Sequence, residues 1–344
     1  MSLRVKNIIY TFILLLAMFL LWKYRQSNEV PLIKFKGKTM GPITYQVTYF
    51  DKDKRDFQAE VDSILQEFNN DLSTYVAESE ISMFNRDSTF VFDGPYFYDI
   101  LSTSREIYKI TGGAYDPTVM PLVNAWGFGP GEQMEYDSVR IDSLRQFIGF
   151  DKVNFDQQKI LKTDARVQLD FSASAKGFGV DIVKQYLESK GIEHMLVEIG
   201  GEVAVKGKNL STDKPWGIGV LDPDSDQINQ FYAAIIALED RAMATSGNYF
   251  NYYIKDGVKY SHTISPISGY PIVHPLLSAS VIAEDCMTAD ALATAFMVMG
   301  HENAIEFVEQ NKHIDAYFIY NDKSGERHTY ASEGIKNLIK EIDQ

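Results

Sequence analysis

The chain has one cysteine among its 344 residues, Cys286, and that scarcity closes off two kinds of architecture. An intramolecular disulfide is impossible, and a cysteine-rich metal site is excluded. Histidine is nearly as sparse, with six in the chain and no two at metal-ligand spacing. No Lys/Arg-rich tract occurs outside the N-terminus and the net charge is −14. This argues against sequence-independent nucleic-acid binding, which needs a positive surface to displace counterions. An acidic protein that handles a phosphorylated ligand must concentrate its positive charge at one place, most simply with a metal. There is no internal repeat of fixed period and no low-complexity tract.

Long apolar runs are also missing, apart from Ile8 to Trp22, which Arg4 and Lys6 precede and Lys23 and Arg25 follow. Charges at both ends argue against a buried core helix and for an export signal or membrane anchor. No small-x-small cleavage site follows, and no cysteine lies nearby to take a lipid. The expectation is an uncleaved anchor and linker over residues 1–28, with the globular part, 35–342, outside the cytoplasmic membrane. At this length the globular part is expected to be one large unit with two closely associated lobes.

Within it, Ile43, Tyr45, Val47 and Tyr49 alternate as in a strand, and Phe57, Val61, Ile64, Leu65 and Phe68 recur at helical spacing. The periodicities predict helices over Lys54 to Asn69 and Tyr96 to Thr111, the second closed by Gly112-Gly113. Asp71 to Asn85 reads as a polar loop with aromatic anchors. A short helix around Val183 to Leu187 should end at Gly191, and an alanine-rich helix should run from Asp285 to Met299, followed by another over Asn303 to Gln310. Strands are expected at Met195 to Ile199, Trp216 to Leu221, Phe231 to Ala237 and Ala279 to Ile282. Strands and helices intersperse without a strict βαβ repeat, so the fold class is α+β, with mixed sheets and packed helices.

Five segments could carry chemistry. Leu169 to Asp181 is small-residued, with one acid at its start, Lys176 in a field of Ser and Ala, and two glycines where a helix would begin. Free amides, low bulk and opposite charges suit a phosphate or a metal, although an ordinary strand-to-helix turn has the same composition. On the alanine-rich helix Asp290 and Thr294 stand four apart, so both oxygens project from one face. Two hard oxygens on a rigid element suit magnesium, while a solvated Asp and a Thr bonded to its own backbone would look the same. His262 lies at the head of a Pro/Gly-rich turn ending at Pro271, and any hydroxyl it deprotonated would have to come from a partner. Glu198 to Glu202 and Ala244 to Tyr249 are further glycine turns where backbone can approach a ligand. Tyr75 and Tyr115 offer flat surfaces to a ring system.

These segments, taken in order, resemble the ApbE family of flavin transferases. The resemblance rests on Met40-Gly41, Ser79 to Asn85, Gly113 to Thr118, Trp126-Gly127-Phe128-Gly129, Asp170 to Asp181, Glu198 to Glu202, Thr245 to Tyr249, His262 to Pro271 and Ala289 to Ala295. It implies a bacterial enzyme at the inner membrane, facing the periplasm, that moves FMN from FAD to a Ser or Thr hydroxyl of a target protein and releases AMP. The acceptor would be a subunit of a membrane redox complex. The resemblance implies FAD contacts at Met40, Tyr75, Ala114, Tyr115, Asp116, Asp170, Lys176 and Ile264. It implies magnesium held by the Ala173 carbonyl, Asp290 and Thr294, and it places His262 beside the reacting phosphate, so that His262 and Asp290 are the candidate catalytic residues. Pro42 and Ser265 depart from the family's usual Thr and acidic residue, and the lipid-bearing cysteine of many members is missing. Two alternatives are an FAD pyrophosphatase, with water in place of the protein hydroxyl, and a non-catalytic FAD carrier.

Overall fold

In a computed structural model of the chain, residues 3–87, 89–130, 138–225, 229–248, 252–255 and 258–342 are described. The first helix, α1 (Leu3–Asn28), is continuous, and its apolar stretch Leu3–Leu20 is long enough to cross a membrane and buries none of itself against the rest of the chain. The folded body then begins at β1 (Leu32–Thr39), slightly earlier than expected, and β2 (Ile43–Phe50), where Tyr45, Val47 and Tyr49 turn inward. Next come α2 (Gln58–Leu72), α3 (Glu80–Arg86), β3 (Thr89–Val91), α4 (Phe97–Ile110), α5 (Met120–Ala125), α6 (Ser138–Arg145), β4 (Val153–Phe155) and β5 (Lys159–Lys162). The stretch expected to be a loop up to Asn85 thus contains a helix. The Ser79 hydroxyl accepts from the Ser82 amide and nucleates it, while Ile81 and Phe84 bury its one apolar stripe.

The second half comprises α7 (Ala175–Ser189), β6 (Met195–Ile199), β7 (Glu202–Lys206), β8 (Trp216–Leu221), β9 (Tyr232–Leu238), β10 (Ala242–Gly247), β11 (Tyr252–Lys255), β12 (Val258–Ser261), β13 (Leu276–Ala283), α8 (Cys286–Met299), α9 (His301–Gln310), β14 (Asp315–Asn321), β15 (Arg327–Ala331) and β16 (Ile339–Glu341). Eight strands form one antiparallel sheet in the order β1-β2-β6-β7-β10-β13-β14-β15. A three-stranded sheet, β16-β9-β8, packs Trp216, Ile218 and Ile236 onto Val203, Val205, Met243 and Tyr317 of the large one. The opposite face carries α7 and α8, so α8 is a core helix. Its Phe296, Leu292 and Met297 are fully buried, each contributing about 2 kcal/mol of apolar burial. A helix-rich cluster, α2, α3 and α4 with the small sheet β3-β5-β4, closes one side. These are helices packed on antiparallel sheets, the α+β class.

Helix α7 is longer than its apolar pattern indicates, because it begins at Ala175 and takes Gly177 and Gly179 into its first turns. The glycines serve close packing rather than the turn. A Cβ built on Gly177 would sit 2.3 Å from the carbonyl oxygen of Cys286, at the start of α8. The same junction is stitched by Asp181, which accepts from the backbone amides of Cys286 and Met287 at 2.8 Å each and so caps α8 alongside Asp285.

Candidate functional site

The closeness of α7 and α8 brings the loop before α7 against the outer face of α8, and a cavity of about 740 Å³ opens there. That is the upper part of the range for small-molecule sites and suits a dinucleotide-sized ligand. Its wall is assembled from distant pieces of chain: the loop after α2, the loop between α4 and α5, residues 170–176, the β6–β7 turn, the end of β10, the segment after β12, and one face of α8.

Asp290 is 2% exposed and sits at the base. Its Oδ2 accepts from the Gly177 amide at 3.0 Å, and its Oδ1 lies 3.6 Å from the Lys176 ammonium. Lys176 reaches further to Oε1 of Glu202, at 2.6 Å. Glu202 is equally buried, and its second oxygen, Oε2, has no hydrogen-bond partner. Burial pushes both carboxyl groups upward, and Lys176 between them opposes the rise. Burial alone would lower Lys176, but the charges of Asp290 and Glu202 outweigh it and hold the ammonium protonated.

One turn along α8, the Thr294 hydroxyl is 3.1 Å from that of Ser246 at the end of β10, so it bonds across to the sheet rather than to its own helix. Ala173 lines the same cavity beside Asp290 and Thr294. A buried carboxylate, a hydroxyl and neighbouring backbone on rigid elements form a hard oxygen set of the kind magnesium takes. The unpartnered buried oxygen of Glu202 and the excess of acid over base also fit a cation there.

The remaining expected residues come together around this base. Asp170 accepts from the Ser172 amide and hydroxyl at 2.8 and 2.5 Å. Asp116 accepts from the amide and hydroxyl of Thr118 at 2.8 and 2.6 Å, and burial pushes it up to about 6. Tyr75 is 71% exposed and presents an open ring at the cavity edge. Tyr115 is 2% exposed, and its hydroxyl is held by Ser104 at 2.9 Å and Ser174 at 2.8 Å, so it offers the cavity no open face for stacking. Ala114 and Ile264 lie on the wall.

His262 is half-buried on that wall, its ring edge-to-face with Phe128 at 6.5 Å between centroids. The turn after it is tied down by Ser265 to Tyr270, Gly269 to Ser265 and Ile272 to Thr263 backbone bonds, and by Trp126 Nε1 donating to the Gly269 carbonyl at 2.9 Å. The imidazole is thus presented from a rigid loop.

Met40 does not join the group. It adopts a left-handed φ of 47° and is not part of the cavity wall. Its unbranched chain fills the space left by Gly179, with Cε 3.1 Å from where a Cβ would stand. In the other direction, Glu202 and Ser246 belong to the site without having been singled out. The only signal in the sequence was the glycine turn each stands in or beside. Tyr249, in the second of those turns, lies outside the described residues.

Residues 40–318 match the ApbE family. The FAD:protein FMN transferase of Vibrio cholerae is 37% identical over 318 residues, covering 89% of this chain and 92% of that protein. That of Haemophilus influenzae is 37% identical, covering 91% and 93%. Among solved structures, the flavin transferase ApbE from Vibrio cholerae superposes with a TM-score of 0.81 at 36% identity, covering 90% of this chain and all of that one. The ApbE protein of Thermotoga maritima gives 0.77 at 27% identity, with 90% and 99% covered. With the match spanning most of its length and its relatives aligned nearly end to end, the chain belongs to the ApbE family.

Proposed function

We propose that the chain is a magnesium-dependent FAD:protein FMN transferase. In the reaction, a Ser or Thr hydroxyl oxygen of a target protein bonds to the FMN phosphorus of FAD, the bond from that phosphorus to the bridging pyrophosphate oxygen breaks, and AMP leaves with that oxygen. The observation that carries the reading is the charge of the cavity wall, whose described residues include the four acids Asp116, Asp170, Glu202 and Asp290 against one ammonium, that of Lys176. A pyrophosphate would be repelled from such a wall unless a divalent cation came with it.

Asp290, Thr294 and the Ala173 carbonyl would hold the magnesium. Bound there, it would neutralise the pyrophosphate and favour in-line displacement at phosphorus. Tyr75, Ala114, Tyr115, Asp116, Asp170, Lys176 and Ile264 would line the path of the dinucleotide. His262, held on its rigid loop, would accept the proton of the incoming hydroxyl as the oxygen bonds to phosphorus. His262 is half-buried, so a hydroxyl approaching from solvent could come within its reach.

The acceptor is expected to be an extracytoplasmic domain of a membrane redox protein, with α1 anchoring the enzyme in the bacterial inner membrane and the body on the periplasmic side. The test is incubation with FAD, magnesium and a candidate acceptor, followed by denaturing gel fluorescence and mass spectrometry. The expected result is an FMN adduct on Ser or Thr. Free FMN and AMP without any adduct, across acceptors, would point to hydrolysis and overturn the transfer reading. Asp290→Ala should remove magnesium dependence together with most activity. A His262→Ala protein with full transfer rate at every pH would remove the histidine from its role.

A further inference from the structure

Glu202 presents a puzzle that the transfer reaction leaves open. A carboxylate with 3% of its side chain exposed, one oxygen unpartnered, sits beside a second buried carboxylate, an arrangement that costs stability unless it serves something. Its one strong partner is Lys176, and the geometry of that pair is asymmetric. The ammonium is 2.6 Å from Glu202 Oε1, a short charge-assisted hydrogen bond, and 3.6 Å from Asp290 Oδ1, beyond hydrogen-bond reach.

The asymmetry matters because of how Asp290 is used. Its Oδ2 is already engaged by the Gly177 amide. Oδ1 is therefore the oxygen left for a cation, and it is the one that Lys176 faces. A buried ammonium must find an anion. With Glu202 removed, the only carboxylate within 4 Å of Lys176 among the described residues is Asp290, and closing the 3.6 Å gap would place an ion pair on the oxygen a metal needs. The backbone is shaped to draw the lysine the other way. Its stem runs along the β6–β7 turn, with Cδ 3.3 Å from where a side chain on Gly200 would begin, and Gly200 itself has φ +61°. The turn that clears space for the lysine stem is the turn that delivers Glu202.

We infer that Glu202 is a positioning residue, which holds the Lys176 ammonium off Asp290 Oδ1 and so keeps that oxygen open to a divalent cation. The inference rests on the reading of Asp290 as a magnesium ligand. It does not make Glu202 a ligand, since the carboxylate acts through the lysine.

The experiment is calorimetric titration of magnesium chloride into the detergent-solubilised full-length chain, with melting temperatures as a check on folding. The parent chain should bind and Asp290→Ala should not; equal binding by both would remove the metal reading and this inference with it. Given that, Glu202→Gln should weaken magnesium binding by about 10- to 100-fold, the range for a group orienting a metal ligand. The double variant Lys176→Met/Glu202→Gln should recover most of that loss, because the competing ammonium is gone. Magnesium binding in Glu202→Gln as tight as in the parent would overturn the inference. So would a double variant as weak as Glu202→Gln, because Glu202 would then be acting on the cation directly. If Glu202→Gln does not fold, Lys176→Met alone decides: it should bind magnesium at least as tightly as the parent, and weaker binding overturns the proposal.

Discussion

Gly177 and Gly179 stand two residues apart in the same helix, yet alanine should have opposite effects at the two positions. At Gly177 the added Cβ would meet the Cys286 carbonyl oxygen at 2.3 Å, its carbon at 2.6 Å and the Asp290 Cβ at 2.9 Å. The two nearest atoms are backbone of α8, so no rotamer change can clear them, and the helices must part by about 1 Å to restore ordinary contact near 3.4 Å. Overpacking of this kind costs about 3 kcal/mol, and the better helix propensity of alanine returns about 1, leaving a net loss near 2 kcal/mol. For a chain of this size that lowers the melting temperature by roughly 3 °C. Parting the helices also lengthens the Gly177 amide bond to Asp290, so activity should fall further than the folded fraction does. At Gly179 the neighbours are the ends of side chains, Met40 Cε at 3.1 Å and Ile199 Cδ1 at 3.3 Å, which can yield. There the propensity gain should leave the protein unchanged or up to about 1 kcal/mol more stable. Thermal melts of the two variants by circular dichroism, paired with flavin-transfer rates, test the argument. A Gly177→Ala protein as stable as the parent, or a Gly179→Ala protein that is the less stable of the two, would refute it.

Three further outcomes follow from the same structure. Burial raises Asp116 to about 6 from 3.8, so the folded state holds this proton more tightly than the unfolded chain does and stability falls as pH rises from about 4 to about 6. Asp116→Asn should flatten that part of the pH–stability curve by at most about 3 kcal/mol, and an unchanged slope in urea titrations would count against it. Arg241 Nη1 pairs with Asp315 Oδ2 at 2.5 Å, and Asp315 is 7% exposed. Arg241→Met should therefore cost about 2 kcal/mol, discounted for the arginine's partial exposure, whereas Arg166→Ala, which breaks an exposed pair with Asp164, should cost far less in the same assay. Deleting residues 1–28 should leave the melting temperature of the body within about 2 °C of the parent, because the apolar stretch of α1 buries none of itself in it. A larger drop would mean that the helix stabilises the body.

Much of the fold was legible because each element has a local signal. The strand β2 could be read from its alternation, β6 from its short apolar run, and α8 from its alanine-rich composition closed by Gly300. The start of α7 was not, because its glycines have the composition of a turn and only the backbone of α8, a hundred residues on, requires them inside the helix. Helix α3 was hidden for a related reason, as seven residues carry too little periodicity to outvote their polar neighbours. At the site, the expected residues share one cavity apart from Met40, whose side chain fills the space beside Gly179. Glu202 escaped notice because its partners, Lys176 and Asp290, come from two different helices, and only the tertiary fold makes three separate charges into one cluster.

That cluster makes the order of binding testable. Among the described residues four carboxylates and one lysine line the cavity, and the lysine is already committed to Glu202 and Asp290. No further lysine or arginine among the described lining residues is left to receive a dianionic pyrophosphate, so FAD and magnesium should stabilise each other's binding, and by linkage each should tighten the other by the same factor. With two charges on each side and screening at physiological salt, the coupling should be at least about tenfold. Flavin-fluorescence titrations of the detergent-solubilised chain, with magnesium and then with chelator, measure it directly. The affinity for FAD should drop by that factor when the metal is removed, and the drop should be largest at low salt. Equal affinity in the two conditions would mean that the acidic wall is neutralised by protons rather than by a metal. Lowering the pH towards 5 would then tighten FAD binding in chelator, as Asp116, which burial raises to about 6, takes up a proton.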